Sequence, residues 1–185
     1  MLTRRCRAVA TAVAALALTS CGGDDSSEAH ETTTTTAEPA TTTTTLSPEA
    51  EVEAAYHEFE AVMAELAVEP DPDDPRLAEL VLPPELDVIR EDLQRSLDTN
   101  QVFELSDQSA YEIVNVTIDQ SGDSATAIVC SVAADRVVDR DSGHVVTEGV
   151  NTLRTEFQFS RQGTRWLITD MNLLDAWVGD TNCDA

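Results

Sequence analysis

Few side chains in this sequence are of the kinds that carry out chemistry. Three histidines, two tyrosines and four cysteines stand among 35 acidic residues. Acid–base catalysis needs a carboxylate or histidine whose pKa is shifted by burial, and a second group placed to stabilise developing charge. The candidates are Tyr56 in "EVEAAYHEFEA", Glu112 in "AYEIVNV" and Asp170 in "WLITD". None lies in a motif that assigns it a role. His30 stands among threonines, His57 beside a run of glutamates and His144 in a "DSGH" turn, so all three read as solvated. There is no G-x-S-x-G nucleophile elbow, no glycine-rich phosphate loop and no two-histidine metal spacing. "DPDDP" offers three carboxylates but lacks the regular spacing and central glycine of an EF-hand loop, so it reads as a helix cap in an acidic turn. No metal or cofactor is expected. Burying an unpaired carboxylate is costly, so Asp170 is expected to be exposed or paired with Arg154 or Arg165.

The cysteines are more informative. Arg4, Arg5 and Arg7 precede the apolar run Ala8–Leu18, the pattern of a secretory signal. That run is too short to span a bilayer, which takes roughly 20 residues. "ALA" at 15–17 suits ordinary signal peptidase, whereas "LTSC" at 18–21 resembles the lipobox of bacterial lipoproteins. The resemblance implies cleavage before Cys21 and attachment of a diacylglyceryl group to its sulfur. Residues 1–20 are then a signal peptide, and the protein sits at the outer face of the cell membrane, held through Cys21. Arg4-Arg5 does not make a twin-arginine signal, because Arg7 stands where that signal wants an apolar residue. With Cys6 removed and Cys21 lipidated, Cys130 and Cys183 remain as an even pair in an oxidising compartment, and a disulfide between them is expected.

From Cys21 onward all 35 acids face only the eight arginines beginning at Arg76, leaving a net charge of about −27 with no lysine. Such a chain repels phosphate backbones and anionic headgroups, which excludes nucleic-acid binding and electrostatic membrane docking. Residues 22–47 contain two runs of five threonines and almost nothing to bury. They read as a disordered tether with a typical span of roughly 30 Å and a limit of about 90 Å. Threonine-rich stalks with proline are also O-glycosylated in some proteins.

The elements that must position the candidates begin at Ser47 and Pro48, an N-cap and first helical residue followed by Glu49, Glu51 and Glu53. Val52, Ala55, Tyr56, Phe59, Val62, Met63 and Leu66 fall on one stripe, predicting a helix over 48–68. Asp74-Pro75 predicts a second helix start. Leu86, Ile89, Leu93 and Leu97 predict a third helix, ending near Asn100. Beyond Gln101 the period becomes alternating, with turns at "QSGD", "DSGH" and "RQGT". Val114, Val116 and Ile118 share one strand face, as do Ile128, Cys130 and Val132, then Leu153, Phe157 and Phe159, while Trp166 and Ile168 open the last strand. Gly149 is read as a bulge inside the third strand. The expected plan is α+β: one domain over 48–185, with three N-terminal helices packed on a curved antiparallel sheet of four or more strands.

"EVEAAYHEFEA", "DPDDPRLAEL", "SATAIVC", "RQGTRWLITD" and the cysteine near the C-terminus resemble actinobacterial lipoproteins and secreted proteins with a nuclear transport factor 2-like domain. The resemblance runs through residues 48–185 in order, with no single diagnostic piece. It implies a cone with an apolar pocket, for which Tyr56, Phe59, Met63, Trp166 and Asp170 are the lining candidates. It also implies two lines of chemistry. Isomerase-type members pair a carboxylate base with a tyrosine or protonated aspartate as oxyanion donor, a part Tyr56 would suit. Dehydratase-type sites want a histidine and an aspartate. The fold also hosts non-catalytic binding modules, so it does not decide between them. The expected function is a lipid-anchored, extracytoplasmic binding or interaction module without turnover of its own, taking a small apolar ligand in the cone or another envelope protein on the sheet. The alternatives are an isomerase, dehydratase or cyclase-type enzyme, or an accessory subunit of an envelope lipid-transport assembly.

Overall fold

A computed structural model describes residues 46–181 and Cys183. The first helix, α1, spans Pro48–Val68. Ser47 caps it, its hydroxyl accepting from the Ala50 amide at 3.3 Å, and Glu49 and Glu51 occupy the first turn, where the helix dipole favours negative charge. Val52, Tyr56, Phe59, Val62 and Leu66 are buried along one stripe. A single turn, α2, follows at Leu77–Leu80, and then α3 at Glu85–Asp98, which buries Leu86, Ile89 and Leu93. Asn100 ends α3 with φ 55°, a left-handed conformation that asparagine tolerates better than most residues. Its side chain then donates to Asp139 at 3.2 Å, tying the helix end to the strands beyond.

The strands are β1 Gln101–Glu104, β2 Ala110–Ile118, β3 Ser124–Ala133, β4 Arg136–Asp139, β5 Val145–Thr147, β6 Asn151–Gln162 and β7 Arg165–Val178. They form two antiparallel sheets, one of order β1-β4-β5 and one of order β2-β3-β6-β7. In the larger sheet Ala127 opposes Phe157 and Ala125 opposes Phe159. These four join Val129, Trp166, Ile168 and the buried stripes of all three helices in one core. Small alanines on β3 leave room for the phenylalanines of β6 and for the Tyr56 ring, whose centroid lies 4.9 Å from that of Phe157.

This architecture corrects the expected plan of three N-terminal helices on one curved sheet. The strands divide between two sheets, strand outweighs helix among the described residues, and only α1 and α3 exceed one turn. The second helix stops because Leu82 precedes Pro83-Pro84: proline offers no amide to continue a helix and forces the residue before it toward extended backbone. Val81 accordingly makes an isolated parallel bridge to Ile168, and the Leu82 amide donates to the Ile168 carbonyl at 2.8 Å. Strands of three and four residues, such as β1, β4 and β5, are too short to announce themselves by alternation.

Two finer expectations also change. Gly149 lies in the connection between β5 and β6 rather than inside a strand, and the register of β6 against β7 shifts at Arg154/Thr155 and at Gln158/Phe159. On β2 the register shifts between Ile113 and Asn115, so Val114 leaves the face it was expected to share with Val116 and Ile118 and is half exposed. Ile113 packs against the core in its place.

Cys130 and Cys183 are joined as expected, with 2.00 Å between sulfurs and 5.8 Å between Cα atoms. Cys130 alternates with the buried Val129 and so lies on the face of the sheet turned away from the helices. The C-terminal segment crosses that face. There the buried Thr152 hydroxyl donates to the Gly179 carbonyl at 2.9 Å and accepts from the Thr181 amide at 3.0 Å. Among the described residues no helix is long and apolar enough to cross a membrane. Cys21, the expected signal at 1–20 and all but the last two residues of the expected tether at 22–47 lie outside the described residues.

Candidate functional site

Two open clefts meet at one end of the larger sheet. The inner one, ≈ 340 Å³, runs between α1 and the helix-facing side of the sheet, with Glu60 and Ala64 on one wall and Tyr111, Ser131 and Ala133 on the other. The outer one, ≈ 450 Å³, lies on the opposite side, beside Glu112, Cys130 and Cys183. Ala110, Tyr111 and Val132 border both.

Tyr111 is where the geometry concentrates. It opposes Ser131 in register, on the face that carries Val129 and Ala127 further along, and its ring stands edge-on to Tyr56 with centroids 5.3 Å apart. Its hydroxyl shares a 2.8 Å hydrogen bond with His57 Nδ1, the donor being set by the imidazole tautomer. Tyr56, 1% exposed, donates its hydroxyl to Glu60 Oε1 at 2.6 Å. One turn of α1 thus presents Tyr56, His57 and Glu60 to β2, because residues three and four apart share a helix face.

Burial raises the Glu60 pKa above the ordinary carboxylate value, against the opposing pull of the Tyr56 hydrogen bond and the nearby His57. Tyr56 is pushed far up, first by burial and then by the charge and hydrogen bond of Glu60. Burial, and after it the Glu60 charge, raises Tyr111 as well. Across the cleft Asp135 accepts from the Ser106 amide and the Ser109 hydroxyl, both at 2.7 Å and both on Oδ1, and so clips the β1–β2 connection to the β3–β4 connection.

The candidates read from the sequence are distributed differently. Tyr56 is buried in the core behind the inner cleft and meets it only through its hydrogen bond to Glu60, and neither Glu112 nor Asp170 joins it. Glu112 opposes Cys130 on the outer face. Asp170 opposes Gln158 and accepts from the Met171 amide at 3.1 Å and from Asn172 Nδ2 at 2.9 Å. Those donors take the place expected for an arginine: Arg165 pairs with Glu58 and Glu79, and Arg154 stands opposite Asp175. The Asp170 charge instead helps burial to raise the pKa of Glu85 at the start of α3.

Phe59 and Trp166 are buried in the core and Met63 packs against it, so none of the three lines either cleft. The Trp166 indole donates to Glu51 at 3.4 Å beneath the Arg161 guanidinium, 5.5 Å from the ring centre. His57 is exposed but bridges to β2, and His144 is exposed in its turn. Asp74 is held by the Arg76 amide and guanidinium, whose hydrogen bonds lower its pKa, and Arg76 also reaches Glu65 at 2.6 Å. "DPDDP" is therefore a clip between α1 and α2, and no group of three or more His, Cys, Asp or Glu among the described residues could hold a metal ion.

Glu60 and Tyr111 were missed by the sequence reading. Glu60 stands four residues after Tyr56, a spacing that signals contact on a helix. Tyr111 carries no such local signal.

No protein-family model matches this chain, and no curated protein matches it. Among solved structures it is similar to the intermembrane space region of the chloroplast protein ARC6, with a TM-score of 0.55 and 14% identity over 68% of this chain and 95% of that one. At that identity the likeness is one of fold.

Proposed function

We propose that this protein is a lipoprotein held through Cys21 at the outer face of the cell membrane, and that its folded domain is a binding module whose ligand seat is the inner cleft at Tyr111. The observation that carries this reading is the junction itself. A cleft of ≈ 340 Å³ has mainly small apolar walls and a few convergent polar groups, the usual composition of a small-molecule site. The sequence resemblance to lipoproteins with a nuclear transport factor 2-like domain supports the address. Binding is favoured over turnover because the Tyr56 hydroxyl is committed to Glu60, and neither Glu112 nor Asp170 stands by to share an acid–base step.

One observation favours a second reading, a protein partner from the envelope. β7 is an edge strand of its sheet, and beyond the Val81 bridge its far half exposes Leu173, Leu174 and Val178, the last 91% exposed. An edge of this kind accepts an added strand.

Hydrogen exchange of the full chain, measured in its own membranes and again after extraction and washing, separates the two. Protection lost at 105–111 and 131–135 on washing supports a ligand in the cleft. Protection lost at 171–178 supports a protein on β7. Exchange unchanged in both regions rejects the binding-module reading.

A further inference from the structure

We infer that the inner cleft selects a small organic cation, a protonated amine or quaternary ammonium on a short apolar body; this rests on the reading of the cleft as a ligand seat and goes further by fixing the charge of the ligand. The cleft wall includes two carboxylates, Glu60 and Asp135, and no arginine or histidine. Asp135 accepts from two donors, Ser106 and Ser109, both on Oδ1, and adds a second negative charge across the cleft from Glu60. Glu60 makes no ion pair among the described residues, and the hydrogen bond from Tyr56 reaches one of its two oxygens. A half-buried carboxylate with a single neutral donor keeps most of its desolvation cost, and a cation seated beside it removes that cost where an alcohol or ketone would only add a hydrogen bond.

Aromatic rings supply the second element of recognition. Tyr111, 40% exposed, presents its ring at the cleft while standing edge-on to the buried Tyr56. Ring faces attract ammonium groups, most strongly where water is partly excluded. Ala64, Leu105, Ala110, Val132 and Ala133 offer an apolar wall to the body of the ligand. The charge of the whole chain, −24, raises the local concentration of cations and repels carboxylates and phosphates from the same opening.

Four titratable groups face Glu60 or share its cleft: Tyr56 and His57 from α1, Tyr111 from β2 and Asp135 from the β3–β4 connection. A cation favours ionised Glu60, so its binding is expected to release a proton at pH values where Glu60 is partly protonated, and its affinity rises with pH. Because these groups face the same seat, the pH profile alone does not identify Glu60.

Substitution identifies it. The full chain is titrated at pH 7 with hexylammonium, 1-hexanol and hexanoate, reading affinity by calorimetry and location by amide chemical shifts. Hexylammonium is expected to bind about tenfold tighter than hexanol, the worth of one charge-assisted contact, with shifts confined to the cleft and no detectable hexanoate binding. Glu60→Gln retains an acceptor for Tyr56 and is expected to abolish the preference for the amine while leaving hexanol unchanged. Tyr111→Leu is expected to weaken hexylammonium more than hexanol, and Glu112→Gln, on the outer cleft, to change neither. Equal binding of hexanol and hexylammonium, or a preference that survives Glu60→Gln, overturns the inference while leaving the cleft a ligand seat. Failure of every probe to shift cleft amides overturns it too, and hydrogen exchange in native membranes then tells separately whether the seat reading also falls.

Discussion

Glu60 is the residue through which the cleft should respond to pH. Its folded pKa lies above the ordinary 4.5, so between that value and its folded pKa the native chain binds more protons than the unfolded one. Its contribution to stability is therefore greatest below pH 4.5 and is lost as pH rises through the folded value. Glu60→Gln should flatten this loss in urea unfolding curves recorded across the interval. Asp74, Asp119 and Asp139 act in the opposite sense: hydrogen bonds hold each below 3.8, so the stability they contribute is lost as pH falls through their folded values, and that acid loss should persist in the variant. Tyr56→Phe should cost about 1–3 kcal/mol by leaving the Glu60 carboxylate without its donor. It should also raise the Glu60 pKa further, a shift readable by NMR titration. The burial of Tyr56 was legible in its stripe with Val52, Phe59 and Val62. The importance of Glu60 was not, because it is one glutamate among many on an acid-rich helix and only the fold shows which of them is turned toward a cleft.

At the scale of elements, the C-terminal segment is fastened twice, by the bridge from Cys183 to Cys130 and by Thr152. The bridge closes a loop with a sequence separation of 53, worth roughly 4 kcal/mol in loop-closure entropy. Cys183→Ala should lower stability in urea by about that amount and expose the segment after Val178 to protease. Thr152→Val leaves the Thr181 amide without its acceptor and should cost about 1–3 kcal/mol, more than a substitution of similar volume elsewhere on the outer face. The cysteine pairing could be read from the sequence because the expected signal and lipidation sites account for Cys6 and Cys21 and leave two thiols. Likewise α1 and α3 were legible, since 21 and 14 residues give several turns of a repeating stripe. The division into two sheets was not. Which strands pair is decided by contacts distant in sequence, such as Gln101 with Asp139, and a one-residue shift at Ile113/Asn115 was enough to turn Val114 out of its expected place.

For the whole molecule the account joins an address to a seat. A chain of charge −24 gains nothing from anionic headgroups, so the proposed membrane contact would have to come from lipid, and two acyl chains at Cys21 would suffice for stable anchoring. Cys21→Ala protein should appear in the soluble fraction or retain its signal, and membrane-bound protein of normal mass would reject the lipoprotein reading. The seat is tested most directly by native mass spectrometry of the protein gently extracted from its own envelope, compared with a Tyr111→Leu variant prepared identically. The account predicts a wild-type mass that begins at a diacylated Cys21 and carries a small adduct, released on collisional activation and missing from the variant. An adduct-free wild type, or the same adduct held equally by the variant, would contradict it.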